Sequence, residues 1–122
     1  MHVRVLIVDD ERLARQRVRR LVQSEADVEV VGEAASGHEA VALIRELRPD
    51  LVCLDVQMPG LDGLETTRIL RARGVTSPVV ALTANALAGD REMCLAAGMT
   101  DYLPKPLDLA ELRAVVQRIS AA

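Results

Sequence analysis

The sequence predicts an α/β protein: a five-stranded parallel sheet, doubly wound, with helices on both faces. Three observations carry that expectation. Short continuous apolar runs alternate with longer amphipathic stretches, five times over. The runs lack the in–out polar alternation of a half-exposed strand, so each is buried on both faces, as in parallel sheets. Strict strand–helix alternation joins parallel strands by right-handed crossovers, which lay helices on both sides of one sheet.

The elements follow in order. "VRVLIV" (Val3 to Val8) reads as the first strand, and "ERLARQRVRRLVQS" as a helix with Ala14, Val18, Leu21 and Val22 along one side. "VEVVGEA" is the second strand. "GHEAVALIREL" is the second helix, with Pro49 just past its end. "DLVCLD" is a short third strand. Pro59, Gly60 and Gly63 mark a loop before the helix "LETTRILRARG", which Gly74 closes. "PVVALT" is the fourth strand, and "LAGDREMCLAAG" a helix ending at Gly98. "DYLP" is the fifth strand. "DLAELRAVVQRISA" is the last helix, capped by Asp108, with Leu109, Leu112, Val116 and Ile119 facing inward.

Composition narrows the class. At 122 residues the chain is expected to be one domain, residues 1–122, large enough to bury a core without staples. A net charge of −3 points to neither general nucleic-acid affinity nor an acidic tail. No apolar run is long enough to span a bilayer, and "MHVRVLIVDD" turns acidic too soon for a secretory signal. Cys53 and Cys94 lie far apart without metal-like spacing, which reads as two reduced thiols in a cytoplasmic protein. His2 and His38 read as surface residues. Met58 and Met93 read as packing or loop residues.

In open parallel sheets, ligands sit beyond the carboxyl ends of the strands. There the first strand delivers Asp9 and Asp10, the second Ala35, Ser36 and Gly37, the third Asp55, the fourth Thr83 and the fifth Lys105. Any one of these polar residues is ordinary loop chemistry. Three carboxylates, a hydroxyl and a lysine on one rim make a site. Clustered carboxylates repel, so either their pKa values rise or a cation sits among them. Oxygen donors without His or Cys favour a hard cation, and Mg²⁺ uses one or two carboxylates plus water and phosphate. A cation beside a lysine and a hydroxyl suits an incoming phosphoryl group, for which an Asp carboxylate is a competent nucleophile. Of the 15 basic side chains, Lys105 alone is a lysine. Its compact charge on a flexible stem can follow a phosphoryl group, whereas arginine is a broad planar fork.

"LIVDDE", "DLVCLDVQMPGLDG", "ALTA" and "YLPKP" together resemble the receiver domain of bacterial two-component response regulators, over essentially the whole chain. The resemblance implies a flavodoxin-like (βα)5 fold with strand order 2-1-3-4-5. It implies that Asp55 is the phosphoacceptor, and that Asp9 and Asp10 form the acidic pair for Mg²⁺, Asp10 as the direct ligand. Asp55 and the backbone carbonyl of Gln57 complete the ligands. Lys105 pairs with the phosphoryl oxygens, and Thr83 moves to meet the phosphate. Ala84 is small enough for its backbone to approach the phosphate. Tyr102, the sole aromatic, turns inward when Thr83 moves. Gln57 and Asn85 flank the mouth of the site and tune the lifetime of the phosphoryl group. The Lys105–Pro106 bond matches one that is cis in this family. The implied donor is a phosphohistidine on a sensor histidine kinase or a phosphotransfer protein.

The first half most resembles receivers of regulators with LytTR-type DNA-binding domains, and the second half those attached to hybrid sensor kinases. This mixture reads as natural variation or as a recombined or designed sequence, and the chain is expected to be either a single-domain regulator or a fragment of a longer one. Arg12, Arg15, Arg17, Arg19 and Arg20 on the first helix read as a solvated face, or as a docking edge for an acidic partner helix. Direct DNA binding ranks below both, because the whole chain is not basic. Phosphorylation is expected to strengthen a homodimer through the face of helix four, strand five and helix five, where Arg91, Glu92, Asp101, Glu111, Arg113 and Arg118 mix signs; the alternative is that this face binds a different protein and the domain stays monomeric. Two other function classes stand beside the signalling switch. One is a Mg²⁺-dependent phosphohydrolase with an aspartyl-phosphate intermediate, of which the adjacent Asp9–Asp10 pair has the wrong spacing. The other is an interaction module that is never phosphorylated.

Overall fold

Strand β1 (Val3–Val8) lies at the heart of the sheet, hydrogen-bonded on one side to β2 (Val28–Ala34) and on the other to β3 (Leu51–Asp55). Strands β4 (Val79–Thr83) and β5 (Asp101–Pro104) follow. All pairings are parallel and the order is β2-β1-β3-β4-β5, as expected. The computed structural model describes residues 2–58, 60–83 and 88–121, with the side chains of 88–90 and 119–121 outside that description.

Helices α1 (Arg12–Gln23) and α5 (Leu109–Ala121) cover one face of the sheet; α2 (Gly37–Leu47), α3 (Gly63–Ala72) and α4 (Ala88–Ala96) cover the other. The alternating residues of β1 feed both cores. Val3, Val5 and Ile7 meet Val18 and Val22 of α1 and Leu112 and Val115 of α5. Leu6 and Val8 meet Ala40, Val41 and Ile44 of α2 and Leu70 of α3. Each such side chain taken from water contributes roughly 1.5–3 kcal/mol, which is why the apolar runs dictate the strands.

Local chemistry sets the helix ends. Ser36 Oγ accepts the Glu39 N–H (3.2 Å) and Asp62 Oδ1 accepts the Glu65 N–H (2.8 Å), capping α2 and α3. Asp108 Oδ1 accepts the Ala110 N–H (2.7 Å) at the start of α5, as expected. Gly74 and Gly98 take positive φ (81° and 105°) just beyond α3 and α4. Helix α2 ends instead on a non-glycine left-handed residue, Arg48 (φ 48°, ψ 61°). The guanidinium of Arg4 donates to the carbonyls of Leu47 and Arg48 there (2.8 and 3.0 Å).

Two details depart from the expected pattern. On α5 the deeply buried valine is Val115, and Val116 is only half-buried, because the apolar stripe is wide enough to hold both. The expected inward turn of Ile119 lies outside the described side chains. In β2 a bulge interrupts the register: Val5 pairs with Val30, but Leu6 pairs with Gly32. The extra residue reverses the facing of everything after it. Val28 and Val30 point toward α1 and α5, whereas Ala34 joins the opposite core. Glu33 is thereby turned toward α1.

Candidate functional site

The strand ends converge as the topology requires. Asp9 follows β1, Asp55 ends β3, Thr83 ends β4 and Lys105 follows β5. Backbone bonds carry the sheet ladder into the rim: Asp9 N–H to the Ala34 carbonyl (3.1 Å), Val56 N–H to Leu82 (3.1 Å), Lys105 N–H to Thr83 (2.7 Å). Asp9, Asp55 and Thr83 are 2%, 5% and 3% exposed; Asp10 is exposed.

Lys105 joins the two buried carboxylates. Its Nζ lies 2.9 Å from Asp9 Oδ2 and 3.3 Å from Asp55 Oδ1. The other oxygen of Asp9 accepts the Glu11 N–H (3.0 Å), and Asp55 Oδ1 accepts the Gln57 N–H (3.3 Å). Gly63 lets α3 begin against this loop. A Cβ there would fall 2.6 Å from the Asp55 carbonyl oxygen and 2.9 Å from Val56 Cα.

Burial pushes the Asp55 carboxyl above its usual range, and the charge of Asp9 adds to the rise; Lys105 and the Gln57 N–H oppose it without cancelling it. For Lys105, burial pulls the ammonium down, but its hydrogen bond to Asp9 and the charges of Asp55 and Asp9 outweigh burial, and the net shift is upward. Both groups are therefore poised by the same cluster.

Asp9, Asp10 and Asp55 each offer an oxygen within 4.8 Å of the others. Three carboxylates against one ammonium leave an excess of negative charge, and all donors are hard oxygens. That donor set fits Mg²⁺.

Tyr102 is half-buried against the core under α2, α3 and α4. It lines a cavity of about 160 Å³ together with Thr83, Val56, Leu64, Met93 and Cys94. Met93 itself is exposed, whereas Met58 is buried. The Lys105–Pro106 peptide bond is cis. Gln57 has an exposed side chain. Ala84 and Asn85 lie outside the described residues. Ser36, expected among the rim groups, is used as the cap of α2. Both cysteines are buried and neither is in a disulfide, and burial pushes the Cys53 thiol up to about 12.

The basic set on α1 is not one solvated face. Arg12, Arg17 and Arg20 are exposed, but Arg15 and Arg19 both pair with Glu33 (3.2 and 2.7 Å). Beside this helix a cleft of about 450 Å³ runs between Arg17, Val18 and Leu21 on one wall and Lys105, Pro106 and Leu107 on the other. On α5, Arg113 is drawn toward α1 by Glu25, and Arg118 pairs with Asp101. Two of the charges expected to be available on the face of α4, β5 and α5 are thus paired with each other, and Arg113 points elsewhere.

Sequence reasoning read Gly63 only as a loop residue, and missed Glu33 and Arg71. The Arg71 guanidinium donates to the carbonyls of Gly98, Val75 and Ser77 (2.8–2.9 Å), tying α3 to the turn after α4. No spacing rule announces a guanidinium that binds only backbone.

Comparison with known proteins agrees with this geometry. Residues 5–117 match the family model described as the response regulator receiver domain. The response regulator MprA of Mycobacterium sp. (strain KMS) is 46% identical over 125 residues, which cover 98% of this chain and 53% of MprA. The chain spans about half the length of that relative. A two-component response regulator of the LuxR family from Aurantimonas sp. SI85-9A1 superposes with a TM-score of 0.92 at 33% identity, covering 99% of this chain and 86% of that one. The signal receiver domain of the response regulator NarL from Mycobacterium tuberculosis gives 0.91 at 31% identity, covering 99% and 98%.

Proposed function

The chain belongs to the response regulator receiver domain family, and on that premise we propose that it is a phosphorylation-controlled signalling switch with Asp55 as its phosphoacceptor. One observation carries the reading. The Lys105 ammonium bridges two buried carboxylates, 2.9 Å from Asp9 and 3.3 Å from Asp55, while Asp10 stands beside them open to solvent.

In this reading a carboxylate oxygen of Asp55 attacks the phosphorus of a phosphohistidine on a sensor kinase or phosphotransfer protein. The new O–P bond forms as the N–P bond breaks, and the electron pair leaves on the imidazole nitrogen. Lys105 holds one phosphoryl oxygen as charge builds. Asp9, Asp10, Asp55 and the Gln57 carbonyl would hold Mg²⁺, which when bound offsets the repulsion between carboxylates and phosphoryl oxygens. The raised carboxyl of Asp55 makes it a more basic nucleophile once ionised. The exposed Gln57 tunes how fast water attacks the acyl phosphate, and the family resemblance implies the same role for Asn85, which lies outside the described residues.

The phosphate on Asp55 then draws the Thr83 hydroxyl toward it, and Tyr102 turns into the cavity beside them. The output is a changed face on α4, β5 and α5. Arg91, Glu92 and Glu111 remain on it for a partner or a second copy, along with the Asp101–Arg118 pair. The cleft beside α1, rimmed by Arg17 and Lys105, faces the kinase or phosphotransfer partner. No helix among the described residues is long and apolar enough to cross a membrane; a cytoplasmic location belongs to the same reading.

The test is phosphoryl transfer. With acetyl phosphate and Mg²⁺, intact-mass measurement is expected to show one phosphoryl group added to the wild-type chain and none to Asp55→Asn. A gain that persists in Asp55→Asn would put the acceptor elsewhere.

A further inference from the structure

The bulge in β2 has a consequence at the acidic rim. It turns Glu33 to the α1 side of the sheet, where Glu33 receives Arg15 Nε (3.2 Å) and Arg19 Nε (2.7 Å). Held this way, Arg15 donates from Nη1 to the carbonyl oxygen of Asp9 (2.7 Å). That oxygen belongs to the peptide plane joining Asp9 to Asp10. Fixing the plane restrains the directions in which the two side chains leave the backbone. The Asp9 carboxylate has further restraints in Glu11 N–H and Lys105. Asp10 is exposed, so the backbone that carries it is the restraint this contact can supply.

We propose that Arg15 is a positioning residue for the Mg²⁺ site, orienting the Asp9–Asp10 pair through the Asp9 carbonyl, with Glu33 aiming the guanidinium. The inference rests on the Mg²⁺ reading above. Its rival is an ordinary surface ion-pair cluster, worth about 0–1 kcal/mol and indifferent to the metal. Two facts separate Arg15 from that class. Its side chain is only 17% exposed, against 37% for Arg19. Only Arg15 of the two touches the acidic turn.

The experiment follows the melting temperature against MgCl₂ at constant ionic strength, in wild type, Arg15→Gln, Arg19→Gln, Glu33→Gln and the Arg15→Gln/Glu33→Gln double variant. Replacing a group that orients a metal ligand commonly weakens metal binding by roughly 10–100-fold. Arg15→Gln is expected to move the Mg²⁺ midpoint up about 10-fold, at the lower end of that range. Arg19→Gln loses an ion pair to the same Glu33 and is expected to leave the midpoint within about twofold of wild type, since it orients no ligand. Glu33→Gln should weaken Mg²⁺ less than Arg15→Gln, and the double variant no more than Arg15→Gln alone, because Glu33 acts through Arg15. The melting temperature without Mg²⁺ separates simple destabilisation from positioning. An Arg15→Gln chain that melts lower but keeps the wild-type midpoint would overturn the proposal. So would Arg19→Gln shifting the midpoint as far as Arg15→Gln. A wild-type chain that ignores Mg²⁺ would overturn the metal reading and this inference together, a result distinct from either of the others.

Discussion

Lys105 sits nearer to Asp9 than to Asp55: its ammonium is 2.9 Å from Asp9 Oδ2 and 3.3 Å from Asp55 Oδ1. The Asp55 carboxylate is therefore the less firmly held of the two, and the lysine that steadies it is anchored chiefly elsewhere. An incoming phosphoryl group can take the ammonium from Asp55 while Asp9 keeps it in place.

This arrangement predicts that Lys105→Ala destabilises the chain. Deleting one partner of a fully buried pair costs roughly 3–5 kcal/mol; with the lysine about a quarter exposed, ~2 kcal/mol is expected at neutral pH. Lys105→Arg should recover part of that stability but not phosphoryl acceptance, because the planar fork cannot follow the phosphate as a point charge does. Denaturant melts with acetyl phosphate labelling check both. Wild-type labelling in Lys105→Arg would refute the point-charge argument.

The raised carboxyl of Asp55 has a definite sign in stability. Its folded pKa lies above the unfolded one, so folding favours the protonated form and stability falls as pH rises from the usual carboxylate range through the folded value. Asp55→Asn removes that loss. The variant is expected to melt above wild type at pH 7, and the gap should close as pH drops below the ordinary aspartate value. A gap that widens on acidification would contradict the assignment.

Gly63 predicts a coupling between α3 and the Asp55 loop. Gly63→Ala must push a methyl group toward the Asp55 carbonyl and Val56, backbone atoms that cannot swing aside. Overpacking of this kind costs ~1–3 kcal/mol. Phosphoryl acceptance should fall as well, since the displaced backbone carries Asp55, the proposed acceptor. Gly60 is the control: it has φ 77° and no neighbour within reach of a Cβ. Gly60→Ala should cost ~1–2 kcal/mol from backbone strain alone and spare the labelling rate. Equal labelling losses in both variants would sink the distinction.

Arg48 offers a stabilising change. It holds a left-handed conformation that costs a non-glycine residue roughly 1–2 kcal/mol. Arg48→Gly relieves the strain but adds freedom to the unfolded chain, so a net gain of ~0.5–1 kcal/mol is expected in urea melts. The Arg4 bonds there go to backbone carbonyls and survive the change.

What the sequence revealed, and what it hid, follows from range. The strands and the helix faces were legible because burial on both faces leaves an unbroken apolar run, and one-face burial leaves a helical stripe. Asp9, Asp55, Thr83 and Lys105 were legible as strand-end residues, because topology alone brings parallel strand ends to one rim. The expected strand order needed the family resemblance, since alternation does not number the neighbours. The bulge at Val31 was hidden, because the run "VEVVGEA" is apolar enough to suit either register. With it went Glu33, whose facing depends on that one extra residue. The α1 arginines were therefore read as one face, although Arg15 and Arg19 are committed to Glu33. Ser36 was placed at the rim because it follows a strand. The pattern Ser36–Glu39 marks a helix start equally well, and the cap is where its hydroxyl is used.

The most direct test of the switch uses Tyr102, the sole aromatic of a chain without tryptophan. Its emission is recorded as acetyl phosphate is added to the wild-type chain, to Asp55→Asn and to Thr83→Ala, each with and without Mg²⁺. The emission is expected to change in wild type in a way that requires Mg²⁺, vanishes in Asp55→Asn and is lost or blunted in Thr83→Ala. A change that persists in Asp55→Asn, or a wild-type signal that stays flat while the chain gains a phosphoryl group, would contradict it.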